Sequence, residues 1–303
     1  MNVAAIDIGT NSMRLLVLSS DRVEVCRMTR VTGLGTGVDV TGRFDQGRVA
    51  ATLCVMEEFA DVLAATGVES TAVVATSATR DAIDGPSFVA SVTSILGVEP
   101  RVISGIEEAG LAFTGATSGM GDGSTLVIDI GGGSTEFIVG STSVEASVSV
   151  DIGSVRLTDR WLPERPSTSE RIDAATEAVG AMFAGALRDI HLPPGSDGRA
   201  VGVAGTFTSL AAIAAGLGSY DRSVVDRMEV TVDDVTSIIE RLTPMSLDET
   251  AAIPSLHPAR APVMLAGAVV ASCALRAVGA DRALVRESDL LDALAWSLLP
   301  TDR

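Results

Sequence analysis

A chain of 303 residues, 47% of them hydrophobic, is long enough for about two folded domains and apolar enough to bury a large core. Its formal charge of −17, from 39 acidic and 22 basic residues, argues against a surface that binds nucleic acids or anionic membranes. Every basic residue is an arginine, which excludes mechanisms that need a lysine: P-loop hydrolases, protein kinases and Schiff-base enzymes.

Each half of the chain is predicted to open with a strand hairpin and to continue into helices. In the first half an apolar strand ends near Asp7, and residues 23–28 supply a third strand. In the second half the strand ends near Asp129, and residues 143–150 supply the third strand. Apolar residues at helical spacing then predict helices at 46–65, 86–96 and 106–117, and at 170–189, 207–216, 232–242, 259–278 and 289–299.

The two hairpins are copies of one another. The segment IDIGTNSMRLLV at residues 6–17 recurs 122 positions later as IDIGGGSTEFIV at residues 128–139, with six of the twelve positions identical. Residues 72–79 and 200–208 correspond more weakly, each an apolar strand that runs into a small-residue loop and then a helix. We therefore expect two α/β domains, residues 1–122 and 123–303, joined at a glycine-rich stretch.

Several features predict a cytoplasmic protein. The N-terminal strand is interrupted by Asp7 and has no cationic segment before it, so we expect no signal peptide. The longest uncharged stretch, residues 261–275, is short for a membrane span and is predicted to be a buried helix. His191 and His257 both flank proline-containing loops and are predicted to be structural or surface residues. The isolated cysteines, which predict neither disulfides nor a zinc site, are Cys26, Cys54 and Cys273.

The two glycine loops have the composition of phosphate-binding loops. Small residues let consecutive backbone N–H groups approach an anion, and the hydroxyls of Thr10, Ser12 and Ser134 add donors. An acid beside each loop, Asp7 or Asp129, would repel a phosphate unless a hard cation such as Mg²⁺ lies between them. The alternative is a tight hairpin whose glycines have positive φ.

One matched position differs in charge between the copies, with Arg14 in the first and Glu136 in the second. Arg14 could donate a fork of hydrogen bonds to phosphate oxygens, whereas Glu136 could hold water at the metal. The alternative is that these two side chains form a salt bridge with each other.

Two further charged residues are candidates for the site. Arg80 is expected at a helix N-terminus, where a cation is unfavourable, so an anionic ligand would explain its position. The alternative is that Arg80 pairs with Asp81 or Asp84.

Two adjacent acids, Glu107 and Glu108, are distinguished by their position. Ser104 and Glu107 match a capping box. Glu108, about 100° further round the helix, is not needed for that cap and suits a general base, the alternative being a solvated surface glutamate.

Together these segments resemble the exopolyphosphatase/guanosine pentaphosphate phosphatase family, within the actin, sugar kinase and Hsp70-like superfamily. The resemblance implies a duplicated actin-like (ribonuclease H-like) ATPase-superfamily α/β fold, with two domains around a cleft. It also implies hydrolysis of a terminal phosphoanhydride in polyphosphate or in guanosine pentaphosphate. The formal charge of −17 in turn predicts that short polyphosphate chains are preferred. The matching segments, in family order, are residues 4–16, 75–82, 103–109, 127–136, 153–158 and 205–210.

The resemblance also assigns roles to residues. Glu108 becomes the base that activates water, and Asp129 and Glu136 bind Mg²⁺ (or Mn²⁺) and water, with Asp7 as a further candidate ligand. Arg156 lies in a segment typical of members, and a homodimer is implied. The loop chemistry and the resemblance together place the following residues around the substrate: Thr10, Asn11, Ser12, Arg14, Arg80, Gly131, Gly132, Gly133, Ser134, Gly205 and Thr206.

The sequence departs from the family near its C-terminus. Residues 286–293, RESDLLDA, replace the usual Ser-Asp-x-Gly-Leu-Arg-Glu-Gly pattern, which leaves the start of the last helix open. Longer members of the family continue into extra helical domains, and we expect only the two-domain core here.

Two other functions fit parts of the sequence. Gly205 and Thr206 could belong to the nucleotide loop of an acetate- or sugar-kinase-like transferase, which ADP formation with candidate acceptors would reveal. A non-catalytic alarmone-binding regulator would keep the loops but release no phosphate. The joint presence of Glu108, Asp129 and Glu136 favours the hydrolase.

Overall fold

The computed structural model describes residues 1–121, 123–188, 190 and 199–300. His191, Asp122 at the predicted domain boundary and residue 189 at the predicted end of a helix lie outside the described residues. By contacts the chain divides into two compact units, Met1–Gly115 with Leu290–Arg303, and Ala116–Asp289. The predicted domains placed the C-terminal segment with the second half, whereas its contacts group it with the first unit.

The first unit contains a five-stranded sheet of order β3-β2-β1-β4-β5. The first three strands are antiparallel neighbours, and β4 and β5 continue the sheet in parallel. The strands are β1 Asn2–Ile8, β2 Ser12–Ser19, β3 Glu24–Val31, β4 Val68–Ala75 and β5 Arg101–Val102. The helices that follow are α1 Val38–Thr41, α2 Gln46–Ala65, α3 Ser77–Asp81, α4 Gly85–Leu96 and α5 Gly105–Thr117.

The second unit contains a six-stranded sheet of order β10-β11-β9-β6-β7-β8. Its strands are β6 Thr125–Ile130, β7 Thr135–Gly140, β8 Val144–Val150, β9 Arg199–Val203, β10 Glu229–Thr231 and β11 Arg282–Val285. Its helices are α6 Ser154–Trp161, α7 Ser169–Ala186, α8 Ala204–Ala214, α9 Arg222–Val225, α10 Val232–Leu242, α11 Leu247–Ala251 and α12 Ala261–Ala277, with a 3₁₀ turn at Pro258–Arg260.

The two sheets share one connectivity. Taking β6, β7, β8, β9 and β11 as strands one to five, the second sheet repeats the 3-2-1-4-5 order of the first and adds β10 at its edge. In each unit the hairpin strands are antiparallel and the later strands pair in parallel with the first. This repetition confirms the predicted duplication of one α/β fold.

The core of the first unit follows from alternation along β1, whose successive side chains face opposite sides of the sheet. One side buries Ala4, Ile6 and Ile8, and the other buries Val3 and Ala5. Phe59 of α2 belongs to the first cluster. Leu294 belongs to the second, in the last helix of the chain, α13 Leu290–Trp296. Helix α13 therefore forms despite the divergent C-terminal motif, because its leucines cover an apolar face of the sheet.

The predicted buried helix near the C-terminus is confirmed as α12. Among the described residues one helical stretch, Pro258–Ala277, is long and apolar enough to cross a membrane, but 72% of its most apolar window is buried inside the protein. It forms part of the large apolar cluster of the second unit. His257 is exposed, and its Nδ1 accepts the Ala259 N–H (3.3 Å) at the start of the 3₁₀ turn, which is the predicted structural role.

The longer predicted helices are confirmed, two of them with the same bounds, Gln46–Ala65 and Val232–Leu242. The short helices α1, α6, α9 and α11 were not predicted, and α3 was expected to begin near Arg80 but ends one residue after it. Helices of four to eight residues complete about two turns at most, so apolar spacing carries little signal for them. The three cysteines are free, as predicted.

Candidate active site

Both glycine loops close in the same way. The Gly9 N–H donates to the Ser12 carbonyl, and the Gly131 N–H donates to the Ser134 carbonyl, each at 3.1 Å. None of the glycines in these loops has positive φ. The alternative interpretation, a tight turn that needs glycine at positive φ, is therefore wrong for both loops.

In the second loop the carbonyl groups are tied to the start of α6. The Gly131 carbonyl accepts the Ser154 N–H (3.0 Å), and the Gly132 carbonyl accepts the N–H groups of Val155 (2.9 Å) and Arg156 (3.1 Å). In a trans peptide the N–H points opposite to the carbonyl of the same unit. The N–H groups of Gly132 and Gly133 therefore point away from α6.

The close approach of α6 to this loop requires a glycine. A Cβ on Gly153 would lie 2.6 Å from the carbonyl carbon and oxygen of Gly132, closer than real side chains come. Gly153 lies immediately before α6. The glycine thus lets the first turn of α6 reach the loop carbonyls, which in turn fixes the direction of the loop amides.

The first loop is held by residues 32–35, which also leave its N–H groups pointing in one direction. The Thr10 carbonyl accepts the Gly35 N–H (2.8 Å), and the Asn11 carbonyl accepts the N–H groups of Thr32 (3.1 Å) and Gly33 (2.9 Å). The peptide N–H groups that follow these two carbonyls point the other way. The Thr10 hydroxyl accepts the Ala78 N–H (3.3 Å), so it also connects this loop to α3.

Arg14 pairs with the acid of its own hairpin. Asp7 and Arg14 are directly opposite in the β1–β2 register, and Nε and Nη2 of Arg14 donate to Oδ2 of Asp7 at 2.9 and 2.7 Å. This partner was not predicted. Asp7 therefore already has a cation beside it, so its carboxylate does not by itself call for a metal.

The matching pair in the second hairpin consists of two acids. Asp129 and Glu136 are directly opposite in the β6–β7 register, and their exposed fractions are 8% and 1%. Like charges opposite each other on one face of a sheet are destabilising. Oε1 of Glu136 accepts a hydrogen bond from the Ser149 hydroxyl at 2.6 Å.

Glu108 and Arg80 lie together in the first unit. Nη1 of Arg80 donates to the Ile103 carbonyl (2.7 Å) and lies 3.5 Å from Oε2 of Glu108, whose side chain is 12% exposed. Arg80 lies in the last turn of α3, where a cation is favourable, and not at a helix N-terminus. The predicted position was therefore wrong, and the helix end alone does not call for an anionic ligand. Its observed partners also differ from the alternatives, Asp81 and Asp84.

The capping prediction for α5 is half right. The Ser104 hydroxyl accepts the Glu107 N–H (3.2 Å), as a capping box requires. The Glu107 carboxylate, however, pairs with Arg101 at the surface. Glu108 is thus the more enclosed of the two adjacent acids.

The chain is similar to known proteins along nearly its whole length. The family model of the Ppx/GppA phosphatase family matches residues 16–290. The chain is 38% identical to Exopolyphosphatase 2 of Mycobacterium tuberculosis, over 98% of each chain. It is 31% identical to the Guanosine-5'-triphosphate,3'-diphosphate pyrophosphatase of Vibrio atlanticus, over 81% of this chain and 50% of that protein. A crystal structure of an exopolyphosphatase-like protein, 36% identical, matches with a TM-score of 0.90 over 98% of this chain and 97% of that one.

The chain belongs to the Ppx/GppA phosphatase family. The predicted family resemblance is confirmed, and the motifs quoted for it lie in the two loops and at the starts of α3, α5, α6 and α8.

The predicted Gly205–Thr206 segment forms the first turn of α8 in this Ppx/GppA protein. A Cβ on Gly205 would collide with the guanidinium of Arg260, a cation that was not predicted at this site. The Thr206 hydroxyl donates to the Ile130 carbonyl (3.1 Å), one residue before the second loop. That hydroxyl therefore holds the loop, whereas the start of α8 keeps the N–H groups that suit an anion.

A second missed cluster lies in the same unit. The Tyr220 hydroxyl donates to Glu287, and Nε of Arg222 donates to the other carboxylate oxygen (3.1 Å). Burial, and then the Glu287 carboxylate, raise the pKa of the Tyr220 phenol well above its usual value. Burial also raises the pKa of the Glu287 carboxyl. The charge of Arg260 acts to lower the pKa of the Tyr220 phenol. Because Arg260 also lies against Gly205, this cluster borders the start of α8.

The residues fit a hard cation in one place. Asp129 and Glu136 present two buried carboxylates on one face, and oxygen donors are what Mg²⁺ prefers. In the described part of the chain no three His, Cys, Asp or Glu side chains group to hold a metal. A two-carboxylate site suits Mg²⁺, which usually keeps several waters and binds substrate phosphates as well.

Arg156, which is 9% exposed, contacts the carbonyl (3.3 Å) and carboxylate (3.6 Å) of Asp151.

Proposed function

We propose that this protein is a Mg²⁺-dependent phosphohydrolase that releases terminal orthophosphate from polyphosphate or guanosine pentaphosphate. One observation carries the proposal: the opposed, buried carboxylates of Asp129 and Glu136 flank, each one residue away, a loop whose N–H groups point away from α6. Two adjacent carboxylates favour a cation, and N–H groups held in one direction favour an anion. A phosphate chain that carries a divalent cation satisfies both.

The loops would bind the terminal phosphates through their backbone. The N–H groups of Gly132 and Gly133 would donate to phosphate oxygens, and those of the first loop would contribute in the same way. The start of α8 with Gly205, and Arg14 and Arg80, would add further positive charge around the substrate. These interactions cost no reorganisation during the reaction because both loops are already held by backbone hydrogen bonds.

Glu108 would act on the attacking water. Its carboxylate would accept the proton as the oxygen attacks phosphorus in line with the leaving phosphate, while Arg80 keeps it oriented. A general base of this kind contributes about 10²–10⁴ to the rate. Mg²⁺ or Mn²⁺, held by Asp129 and Glu136, would supply charge neutralisation at the phosphate oxygens.

The relatives support the substrate class. Proteins named exopolyphosphatase and guanosine pentaphosphate pyrophosphatase both match this chain, and their substrates share a terminal phosphoanhydride. The acidic overall charge supports the further proposal that the protein has no nucleic-acid or membrane partner. The free cysteines support a cytoplasmic location. The family suggests a homodimer.

The test is phosphate release from polyphosphates of defined length and from guanosine pentaphosphate, with and without Mg²⁺. We expect release that needs Mg²⁺ and is lost in Glu108→Gln. ADP formation from ATP with an acetate or sugar acceptor would support a kinase instead. Tight alarmone binding without phosphate release would support a regulator.

A further inference from the structure

Three polar residues form a row of cross-strand neighbours on the antiparallel strands β6, β7 and β8 of the second unit. Asp129 on β6 is opposite Glu136 on β7, and Glu136 is opposite Ser149 on β8. Directly opposed residues in antiparallel strands point to the same face of the sheet. The Ser149 hydroxyl uses this placement to donate to Oε1 of Glu136 at 2.6 Å.

The first unit contains the same row with different chemistry. Asp7 on β1 is opposite Arg14 on β2, and Arg14 is opposite Thr29 on β3. There the middle residue is a cation that pairs directly with the acid. In the second unit the middle residue is a buried carboxylate, which needs a donor to remain charged in a site with little water. The hydroxyl on the third strand supplies that donor.

We propose that Ser149 is a positioning residue for the metal-binding carboxylate of Glu136. A hydroxyl bonded to a carboxylate at 2.6 Å is within the short range of charge-assisted hydrogen bonds. It fixes one oxygen of Glu136 and with it the orientation of the whole group toward Asp129 and the cation. The inference rests on the proposed function, because it assumes that Glu136 and Asp129 share a divalent ion.

The chain offers a matched control on the same strand. Ser147 lies two residues before Ser149, so it points to the same face, but it is opposite Ile138. Ser147→Ala removes the same hydroxyl from the same strand without touching a carboxylate. Ser149→Thr keeps the hydroxyl and introduces a residue that strands favour.

The experiment measures Mn²⁺ binding by electron paramagnetic resonance in the wild type, Ser149→Ala, Ser149→Thr and Ser147→Ala. We expect Ser149→Ala to weaken Mn²⁺ binding 10- to 100-fold, the usual effect of losing a residue that orients a metal ligand. We expect Ser149→Thr and Ser147→Ala to stay within about threefold of wild type, since both keep the Glu136 hydrogen bond. Thermal unfolding of each variant checks that the fold is kept.

Phosphate-release kinetics give the second readout. At saturating metal, Ser149→Ala should lower kcat about tenfold or more and change KM little, because the orientation of Glu136 matters most in the transition state. Wild-type Mn²⁺ affinity in Ser149→Ala, equal loss in Ser149→Thr, or no Mn²⁺ binding by the wild type would each overturn the inference. A wild type that binds Mn²⁺ in a Ser149-dependent way but hydrolyses neither substrate would overturn the proposed function alone.

Discussion

Glu107 and Glu108 are adjacent acids that the structure separates by their surroundings. The Glu107 side chain is 40% exposed and pairs with Arg101, an arrangement that contributes little at a surface. The Glu108 side chain is enclosed and lies next to Arg80, whose guanidinium is held by the Ile103 carbonyl. Arg80 thus holds the Glu108 carboxylate in place, which suits a general base that must be positioned accurately against a water molecule.

We therefore expect Glu108→Gln to remove turnover while leaving substrate affinity within several-fold. The amide cannot accept the proton of the attacking water, so kcat should fall by about 10²–10⁴. Steady-state kinetics and equilibrium binding of guanosine pentaphosphate measure the two effects separately. Glu107→Gln is the matched control and should retain near wild-type kcat. A Glu108→Gln enzyme with more than a tenth of wild-type kcat would assign the base to another group.

Asp129 should control the metal requirement. Asp129→Asn removes one of two charged ligands from a hard-cation site, so we expect Mg²⁺-dependent phosphate release to be abolished at ordinary Mg²⁺ concentrations. Activity against Mg²⁺ concentration is the measurement, with Asp7→Asn alongside. Asp7 pairs with Arg14, and its substitution should leave Mg²⁺ dependence in place even if rate is lost. Unchanged Mg²⁺ dependence in Asp129→Asn would move the metal to Asp7.

At the scale of elements, the hairpins and long helices could be predicted because their signals are long and repeated. The duplicated hairpin is visible as two twelve-residue segments, and Gln46–Ala65 is long enough to show apolar spacing. Helix α6 could not be predicted by the same means, since it has only eight residues and its first turn binds loop carbonyls.

Side-chain partners were predictable only where strand register is fixed by a short loop. The hairpin register places Asp7 opposite Arg14, so that pair could have been found from the sequence. Glu136 and Ser149 lie on strands joined by an equally short loop, but the pairing has a register shift between Val139 and Gly140, which sequence alone does not locate. Arg80 was placed at the wrong end of its helix because the five residues of α3 leave both ends within one turn.

Helix α13 should depend on a buried ion pair. Nη2 of Arg27 on β3 donates to Oδ1 of Asp292 at 2.5 Å, and the side chain of Asp292 is 8% exposed. Asp292→Ala leaves the Arg27 charge partly buried, so we expect a loss of about 3 kcal/mol in unfolding free energy. Urea unfolding measures it. The control, Glu58→Ala, breaks an equally short but more exposed pair with Arg30 and should cost about 0–1 kcal/mol. Equal losses in the two variants would mean that the Asp292 pair contributes no more than a surface pair.

At the scale of the whole molecule, the charge of −17 opposes the proposed substrate. A polyanion must then be attracted by local groups: loop amides, arginines and a bound cation. Each phosphate beyond the reach of those groups meets a predominantly acidic protein. Repulsion should therefore grow with chain length, whereas the attractive contacts stay constant in number.

We accordingly expect oligophosphates or guanosine pentaphosphate to have higher kcat/KM than chains of hundreds of phosphates, and long chains to be released after each cleavage. At 0.15 M salt, charges are screened beyond about 8 Å. Raising the ionic strength toward 0.15 M should therefore weaken the repulsion between the acidic protein and the distant phosphates, which helps long chains relative to short ones. At higher salt the local contacts are screened as well, so both activities should fall. The measurements are kcat/KM against chain length at several salt concentrations, and a time course of long polyphosphate on a gel. If kcat/KM rises with length and long chains vanish without intermediates, the protein must instead hold long chains on a basic track.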